Sequence, residues 1–321
     1  MPIKSKPLGR GSISHLISAD QLDKETLSKL FRRADKLSSM DSRRREKLLR
    51  GKRVGLLFYE PSTRTRWSFE DAVDLLGAKK KSSENASDFS SAVKGESLED
   101  TVRVIAHYVD CAIIRHNESG SMARIAHISP IPLINAGDGN NEHPTQAALD
   151  LYTIQKEIGR LDDIKVAMVG DLRYGRTVRS LSKLLAERRD VEIVYVSPES
   201  LRISADIKGL LVQKRVKFRE ESDISGVLPS VDIVYMTRIQ KERMGQEAFG
   251  SAEKYMDRYI INSRNFGLMR ESSRLMHPLP KLGEIDLPVD VESTDQRVAY
   301  FRQAGYGVAI RMAILEHVLR E

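Results

Sequence analysis

The feature that most constrains how this 321-residue chain folds is an alternation of short apolar runs with segments of helical periodicity. The apolar runs have the length and composition of buried strands. They occur in both halves of the chain, at Arg53 to Tyr59, Cys111 to Ile114, Ile131 to Asn135, Lys165 to Gly170, Val191 to Val196, Val231 to Met236 and Tyr259 to Asn262. Because helical segments separate them, we expect an α/β fold with mainly parallel sheets, flanked by helices and joined by right-handed crossovers.

The length of the chain predicts two domains, because it exceeds the size at which one hydrophobic core usually stops growing. Helical character resumes at His143, and we place the boundary near Pro144. The predicted domains are therefore residues 1–144 and 145–299. A last helix over residues 300–321 has no sheet partner in sequence, and we expect it to fold back and join the domains.

Local signals add three features to the first domain. An amphipathic helix opens it, with Ser18 and Gln21 as a candidate capping box at the helix start. Another helix begins after the first strand, with Ser62 or Thr63 as its cap. From Lys79 to Gly95 apolar periodicity is lost and polar residues dominate, which predicts a long exposed loop.

Composition argues against several classes of protein. Hydrophobic residues make up 40% and charged residues 30%, and no apolar run approaches the roughly 18 residues of a membrane span. The basic N-terminus lacks the apolar stretch of a secretory signal, so a cytoplasmic location is expected. Cys111 is the single cysteine, which excludes an intrachain disulfide and a cysteine-built zinc site, and predicts a buried thiol.

The formal net charge of +7 favours anionic partners. Two basic runs, Arg43 to Arg45 and Lys79 to Lys81, are short and adjoin helical segments, as solvated faces commonly do. No nucleic-acid recognition motif accompanies them. We therefore expect small anionic ligands as partners, and neither nucleic acid nor a membrane.

Ser62-Thr63-Arg64-Thr65-Arg66 combines three hydroxyls and two guanidinium groups at a predicted helix start. The unpaired N–H groups and the dipole of a helix N-terminus favour an anion. Guanidinium groups also bind phosphate through paired hydrogen bonds that one ammonium cannot reproduce. The segment therefore predicts a phosphate cradle, and the alternative is a well-capped surface helix.

A second group of polar side chains follows later strands. His143-Pro144-Thr145-Gln146 comes after a Gly137-Asp138-Gly139 turn and places an imidazole and a carboxamide one helical turn apart, so both can reach one ligand. Taken alone, a histidine near a helix start is more often structural. Arg115 ends a strand, where binding groups of α/β folds commonly lie, and its alternative is a strand-end charge in water.

Glu60 to Arg66 resembles the phosphate-binding signature of the aspartate/ornithine carbamoyltransferase family, and the similarity runs from about Ser18 to the C-terminus. His143 to Gln146 is similar to the family motif that contacts the carbamoyl group. Ser91 to Ser97 is similar to a loop that reaches the neighbouring subunit's site. The resemblance implies carbamoyl phosphate as the donor and no cofactor or metal. The donor-binding residues that it implies are Ser62, Thr63, Arg64, Thr65, Ser90, Arg115, His143, Gln146, Pro278 and Leu279.

The resemblance also bears on the acceptor amine. An acceptor with two carboxylates needs two cationic anchors, and the family match implies Arg176 and Arg238 for this task. Ornithine-type relatives typically carry a cysteine where this chain has His277-Pro278-Leu279-Pro280, so L-aspartate is favoured. The acceptor-binding residues implied in this way are Lys94, Arg176, Arg238, Gln240 and Leu279.

The implied reaction is carbamoyl transfer to L-aspartate, in de novo pyrimidine biosynthesis. The implied catalytic residues are Arg64, Thr65, Lys94, Arg115 and His143. Family members form trimers with shared active sites, so a homotrimer is expected, and a regulatory chain is left open. Two alternatives remain, another amine acceptor such as ornithine and a non-catalytic anion-binding protein. No Gly-x-Gly-x-x-Gly follows Gly170, which argues against a nicotinamide dehydrogenase. Lys281, Arg173 and Gln303 to Gly307 depart from the family's usual residues.

Overall fold

The computed structural model describes residues 15–86, 95–238 and 256–320. The chain divides into two compact units, one formed by Met1–Leu149 with Gly305–Glu321 and the other by Asp150–Ala304. The described strands are β1 Arg53–Phe58, β2 Lys79–Glu84, β3 Cys111–His116, β4 Leu133–Asp138, β5 Lys165–Val169, β6 Glu192–Val196, β7 Lys217–Glu221, β8 Ile233–Met236, β9 Ile261–Asn262, β10 Arg274–Met276 and β11 Ile285–Asp286.

Helices accompany the strands in both units, and the two division points fall within long helices. The described α-helices are α1 Lys24–Ser38, α2 Ser42–Arg45, α3 Thr63–Leu75, α4 Leu98–Ile105, α5 Ser121–Ala126, α6 Pro144–Ile158, α7 Arg176–Leu185, α8 Ala205–Gln213, α9 Val289–Thr294 and α10 Tyr300–Arg320. In the described part of the chain, none of them combines the length and hydropathy that crossing a membrane requires.

The first unit contains a four-stranded sheet in the order β2-β1-β3-β4, with every pair parallel. β1 and β3 are central, and their apolar runs are long because both faces of a parallel sheet are covered. Val54, Leu56 and Phe58 of β1 are fully buried, as is Ile113 of β3. The carboxyl ends of β1, β3 and β4 meet at one sheet edge, which brings the segments that follow them together.

The second unit contains a five-stranded sheet in the order β10-β8-β5-β6-β7, again entirely parallel. Its centre is apolar, and Ala167, Val194 and Val234 are fully buried. The predicted α/β class with parallel sheets flanked by helices is confirmed. The segments after β5, β8 and β10 share the carboxyl edge of this sheet.

The prediction of a loop over Lys79 to Gly95 was wrong for its first part. β2 pairs with β1 from Arg53↔Lys79 to Phe58↔Glu84. It is an edge strand, and its three lysines are exposed. Charged residues are common on edge strands, because backbone pairing forms the strand while the charges discourage further pairing.

Two other local predictions need correction. The capping box of Ser18 and Gln21 exists, but it closes a single 3₁₀ turn at Ala19–Gln21. α1 is capped instead by Asp23, whose carboxylate accepts a hydrogen bond of 2.7 Å from the Thr26 amide. The strand predicted at Tyr259 to Asn262 shrinks to β9, which pairs with β11 in a separate two-stranded sheet.

Candidate active site

The N-terminus of α3 lies just beyond the carboxyl end of β1. Ser62 precedes the helix with φ −162° and ψ 85°, and in the described structure its hydroxyl makes no cap hydrogen bond. α1 differs, because its Asp23 carboxylate closes the first turn. The amides of the first turn of α3 are therefore not capped by Ser62, so they can bind an anion. The structure therefore does not show a well-capped surface helix, which was the alternative to a phosphate cradle for this segment.

The two arginines of this segment have different surroundings. Arg66 forms ion pairs with Glu84 at 3.0 Å and with Glu70 at 3.7 Å. Arg64 is exposed, and no carboxylate of the described residues lies within ion-pair distance of it. Partial burial of its guanidinium group lowers the pKa of Arg64 from the ordinary value, but an arginine stays protonated in proteins. Of the two, Arg66 fastens α3 to β2 through Glu84, whereas Arg64 stays the candidate for the predicted phosphate cradle. Thr65 is buried beside them.

Arg115 lies near the carboxyl end of β3, where the sequence placed it. Its Nη2 atom is 3.1 Å from Glu60 Oε1, and only 11% of its side chain is exposed. Glu60 follows β1, the strand that neighbours β3 in the sheet. Arg115 is therefore a largely buried cation that an ion pair fixes in place, and not a solvent-exposed charge at the end of a strand. The sequence alone does not identify Glu60 as the partner of Arg115.

Asp138 organises the loop that leads from β4 to His143. Its carboxylate is 1% exposed. It accepts hydrogen bonds from the amides of Gly120 at 2.9 Å and Glu142 at 3.0 Å, and from Asn135 Nδ2 at 3.0 Å. Asn141 Nδ2 donates a fourth hydrogen bond at 3.1 Å, and a buried carboxylate with four donors holds its loop firmly. The turn is visible in the sequence but this role of Asp138 is not, and the available signal was an acidic residue between two glycines.

His143 and Gln146 stand one helical turn apart at the start of α6, as predicted. Both are buried, and the Gln146 amide donates to the His143 carbonyl at 3.0 Å. Thr145 Oγ1 lies 3.4 Å from His143 Nδ1. The first unit thus brings the Ser62 segment, Arg115 and His143 to the carboxyl ends of three neighbouring strands. Ser90 and Lys94 lie outside the described residues.

In the second unit the segments after β5 and β8 touch. Gly170 has φ +111°, and a Cβ atom built there would lie 2.5 Å from the Thr237 carbonyl oxygen. Thr237 Oγ1 donates to the Val169 carbonyl at 2.8 Å. Only glycine permits both this conformation and this approach. The structure therefore brings the segment containing Arg176 and the segment containing Arg238 to one place.

Arg176 is the first residue of α7 and is 8% exposed. A cation at the positive end of a helix is disfavoured by the dipole, and a buried one requires an anion nearby. Arg238 is half-buried and follows Thr237 directly. Both arginines therefore follow strands whose carboxyl ends lie at one sheet edge, and their joint binding of the acceptor stays a prediction. Gln240 lies outside the described residues.

The loop after β10 is held by a buried histidine. His277 is 1% exposed, and its Nε2 lies 2.8 Å from Glu284 Oε1. The Leu279 amide donates to His277 Nδ1 at 2.7 Å, which assigns the imidazole as the neutral Nε2–H tautomer. Leu279 has φ +57°, a left-handed conformation that the surrounding bonds must maintain. The carbonyls of Pro278 and Leu279 are thereby fixed in direction.

Burial raises the pKa of Glu284, but the hydrogen bonds that the carboxylate accepts from His277 and from the Leu282 amide outweigh burial and leave the pKa below its ordinary value. Glu284 is thus an ionised acceptor for the imidazole. The sequence does not predict this pair, because the motif at 277–280 does not reveal a carboxylate that follows it after a turn.

A buried network explains the residue at position 303, where this chain departs from the family's usual pattern. Gln303 Oε1 accepts from the His277 amide at 2.9 Å, and Gln303 Nε2 donates to Asp150 Oδ1 at 2.7 Å. Tyr235 donates to Asp150 Oδ2 at 2.7 Å. Burial, with the neighbouring Asp150 carboxylate, raises the pKa of Tyr235 far above its ordinary value. Gln303 therefore positions the 277–280 loop.

The other two departures form ordinary contacts in the second unit. Lys281 Nζ lies 2.6 Å from Glu292 Oε1. Arg173 donates a long hydrogen bond of 3.5 Å to the Ser200 carbonyl. Among the described residues no cluster of three or more His, Cys, Asp or Glu side chains is arranged to hold a metal ion.

Comparison with known proteins agrees with this geometry. The family model for the carbamoyl-P binding domain of aspartate/ornithine carbamoyltransferases matches residues 14–156, and that for the Asp/Orn binding domain matches residues 162–318. Aspartate carbamoyltransferase 3, chloroplastic, of Pisum sativum is 48% identical over 308 residues, which are 96% of this chain and 78% of the pea protein. The aspartate carbamoyltransferase catalytic subunit of Methanocaldococcus jannaschii is 43% identical over 96% of this chain and 99% of its own length.

Solved structures give the same result. The catalytic subunit of M. jannaschii aspartate transcarbamoylase superposes with a TM-score of 0.85 at 43% identity, covering 95% of this chain and 98% of that chain. Aspartate transcarbamoylase from Trypanosoma cruzi, in complex with N-(phosphonacetyl)-L-aspartic acid, has a TM-score of 0.87 at 33% identity, covering 98% of each chain. Both domain matches, together with these identities over nearly the whole chain, show that this chain belongs to the aspartate/ornithine carbamoyltransferase family.

Proposed function

We propose that this protein transfers the carbamoyl group of carbamoyl phosphate to the amine of L-aspartate, giving N-carbamoyl-L-aspartate and phosphate. The observation that carries the proposal is the uncapped N-terminus of α3, with Arg64 beside it and no carboxylate of the described residues within ion-pair distance. The Trypanosoma cruzi enzyme has been solved in complex with carbamoyl phosphate and aspartate, at 33% identity to this chain. The reaction is a step of de novo pyrimidine biosynthesis.

We assign binding of the donor to residues 1–144 and the helix over 300–321. The phosphate group would bind at Ser62, Thr63, Arg64 and Thr65, where first-turn amides and a guanidinium group both favour an anion. Arg115 and His143 would donate to the carbonyl oxygen, and Gln146 would accept from the carbamoyl nitrogen. Ser90 completes the side chains of this proposed set, and Lys94 would contact both the departing phosphate and the acceptor.

We assign binding of the acceptor to residues 145–299. Arg176 and Arg238 would each bind one carboxylate of L-aspartate, since guanidinium groups form paired hydrogen bonds with carboxylates. Gln240 would assist them. The carbonyls of Pro278 and Leu279 would accept hydrogen bonds from the carbamoyl nitrogen, and the Leu279 carbonyl would also accept from the attacking amine.

The proposed chemistry needs no covalent intermediate with the enzyme. The uncharged amine nitrogen attacks the carbonyl carbon, and Thr65, Arg115 and His143 stabilise the oxyanion that develops. The carbon–oxygen bond to phosphate then breaks. Phosphate leaves with the bonding electron pair and accepts the proton that the amine loses. The cationic groups at the start of α3 favour this departure, because they bind the phosphate more strongly as its charge increases.

We further propose a homotrimer with shared active sites, in which Ser90 and Lys94 serve the neighbouring subunit. This proposal rests on the family resemblance of residues 90–97. The M. jannaschii relative is named a catalytic subunit, and a regulatory chain stays a hypothesis for this protein. We propose a cytoplasmic location, whereas the names of the pea relatives place those proteins in the chloroplast.

The first experiment is an assay of the purified protein with carbamoyl phosphate and either L-aspartate or L-ornithine, measuring the carbamoylated amino acid. We expect product with aspartate alone. Product with ornithine alone would keep the carbamoyl transfer and overturn the acceptor. No product with either, together with tight binding of carbamoyl phosphate, would favour the non-catalytic anion-binding protein.

A further inference from the structure

A pocket of about 490 Å³ lies at the amino ends of β5, β6 and β7. It includes the first residue of each strand, Lys165, Glu192 and Lys217. In a parallel sheet the amino ends lie at the edge opposite to the carboxyl ends. The pocket is therefore at the far edge of this sheet from Arg176 and Thr237, and the function proposed above does not use it.

The lining of the pocket is rich in positive charge. Six cationic and three acidic residues line it. Glu192 is engaged by Lys165 at 3.2 Å, and Asp190 lies 3.7 Å from Arg189. Arg188, Arg215 and Lys217 have no ion-pair partner in the described part of the chain. The pocket thus holds an excess of positive charge, which a bound polyanion would neutralise.

Arg188 is the most unusual of these cationic groups, because its side chain is buried. It is 8% exposed, and its Nε and Nη2 atoms are buried without a hydrogen-bond partner in the described structure. Burial lowers the pKa of Arg188, with the nearby Asp162 and Glu187 acting in the opposite direction. A guanidinium group nonetheless stays protonated, and buried donors without acceptors destabilise a fold. An anion in the pocket would supply the missing acceptors.

We propose that this pocket binds a small molecule carrying two or more linked phosphate groups, with Arg188 as the buried anchor and Arg215 and Lys217 as further cationic contacts. The volume is in the range of small-molecule sites. A small cationic pocket suits a compact polyanion better than a nucleic-acid duplex, which needs a basic stripe along a face. The uncompensated cations match the charge of a diphosphate group.

The test is a calorimetric titration of pyrophosphate into the full-length protein, with N-(phosphonacetyl)-L-aspartate present to occupy the proposed active site. We expect saturable binding that the phosphonate does not remove. Arg188→Met should weaken this binding by about tenfold or more, because a charge-assisted anchor is lost. Lys217→Gln should weaken it less. The matched control is Arg264→Gln, which removes an exposed arginine of the same unit outside the pocket and should leave the affinity unchanged.

Three outcomes would overturn the proposal. The first is no saturable pyrophosphate binding in the wild-type protein. The second is equal affinity in Arg188→Met, and the third is inorganic phosphate binding as tightly as pyrophosphate. Folding of Arg188→Met is checked by thermal unfolding, and it should be at least as stable as wild type because a buried unpaired charge is replaced by an apolar chain. The difference in pyrophosphate affinity between wild type and Arg188→Met can be measured even if the phosphonate fails to bind. Failure of the proposed function and failure of this proposal are therefore distinguishable.

Discussion

Arg64 and Arg66 are two residues apart at the start of α3, and their surroundings divide their tasks. Arg66 forms ion pairs with Glu84 on β2 and Glu70 on α3, whereas Arg64 has no carboxylate within ion-pair distance among the described residues. The sequence motif could not separate the two, because Glu84 lies in a segment whose exposed, charged pattern concealed a strand. The difference between the two arginines depends on the tertiary contact of Arg66 with Glu84.

This division leads to a kinetic prediction for the arginines of the two proposed ligand sites. Arg64→Ala should lower kcat/KM for carbamoyl phosphate by roughly 10²–10³-fold, since it removes a donor aimed at developing charge. Arg238→Ala should mainly raise the KM for L-aspartate. Arg66→Gln is the matched control, and it should cost stability without a selective loss of donor affinity. Steady-state kinetics with each substrate varied in turn tests this division between donor and acceptor binding. Equal effects of both alanine variants on both substrates would contradict the division.

The His277–Glu284 pair gives a second prediction at this scale. Glu284→Leu leaves the buried imidazole N–H without its acceptor, at a cost of about 1–3 kcal/mol, and should release the 277–280 loop. We expect kcat to fall about 10–100-fold, as for other groups that orient a reacting group. Glu284→Gln keeps an oxygen acceptor and should stay close to wild type. A purely structural role would lower stability in Glu284→Leu while leaving kcat per folded protein unchanged.

At the scale of elements, the sequence identified the longer buried strands and missed the exposed strands β2 and β7, together with the short strands β10 and β11. β1, β3, β5, β6 and β8 are apolar because both of their faces are covered, and this pattern is visible without a structure. β2 and β7 are edge strands with the sequences Lys79–Glu84 and Lys217–Glu221, and both are dominated by charged residues. Such strands form through backbone pairing with a neighbour, which no local pattern records.

The N-terminus of α1 provides a prediction about one helix. Asp23→Ala should destabilise the protein by about 1 kcal/mol at neutral pH, because the Thr26 amide loses its acceptor. This hydrogen bond lowers the pKa of Asp23 below its ordinary value of 3.8. The contribution of the carboxylate is therefore fully present above that value, and it is lost as the pH falls through the lower pKa of the folded state.

The control for this prediction is Asp23→Asn, which retains a capping oxygen that does not titrate. Urea unfolding at pH 7 and near pH 3 should show the stability difference between the wild-type protein and the Asp23→Asn variant shrinking or reversing in acid. If Ser18 and Gln21 capped α1, Asp23→Ala would have little effect at either pH. The hydrogen bond from Thr26 argues against that result.

At the scale of the whole molecule, sequence motifs predicted which residues gather, but not the groups that hold them. The Ser62 segment, Arg115 and His143 lie at or beyond the carboxyl ends of separate strands of one parallel sheet, so their convergence follows from topology. Glu60, Asp138, Glu284 and Asp150 act through side-chain contacts across the fold. Long-range contacts of this kind are not encoded in a local pattern, so the motifs could not reveal these four carboxylates.

The proposed assembly leads to a prediction about mixed subunits. If Lys94 serves the site of a neighbouring subunit, Arg64→Ala and Lys94→Ala chains are each inactive alone but complementary. Random reassembly of equal amounts should restore roughly a quarter of wild-type activity, because one site in about four combines an intact Arg64 with an intact neighbouring Lys94. A mixture of Arg64→Ala with His143→Ala is the control, since one chain supplies both groups and no intact site can form. The Arg64→Ala and Lys94→Ala mixture could instead show only the summed activities of the two variants, although sedimentation shows mixed trimers. That result would place Lys94 in its own subunit's site or outside the site altogether.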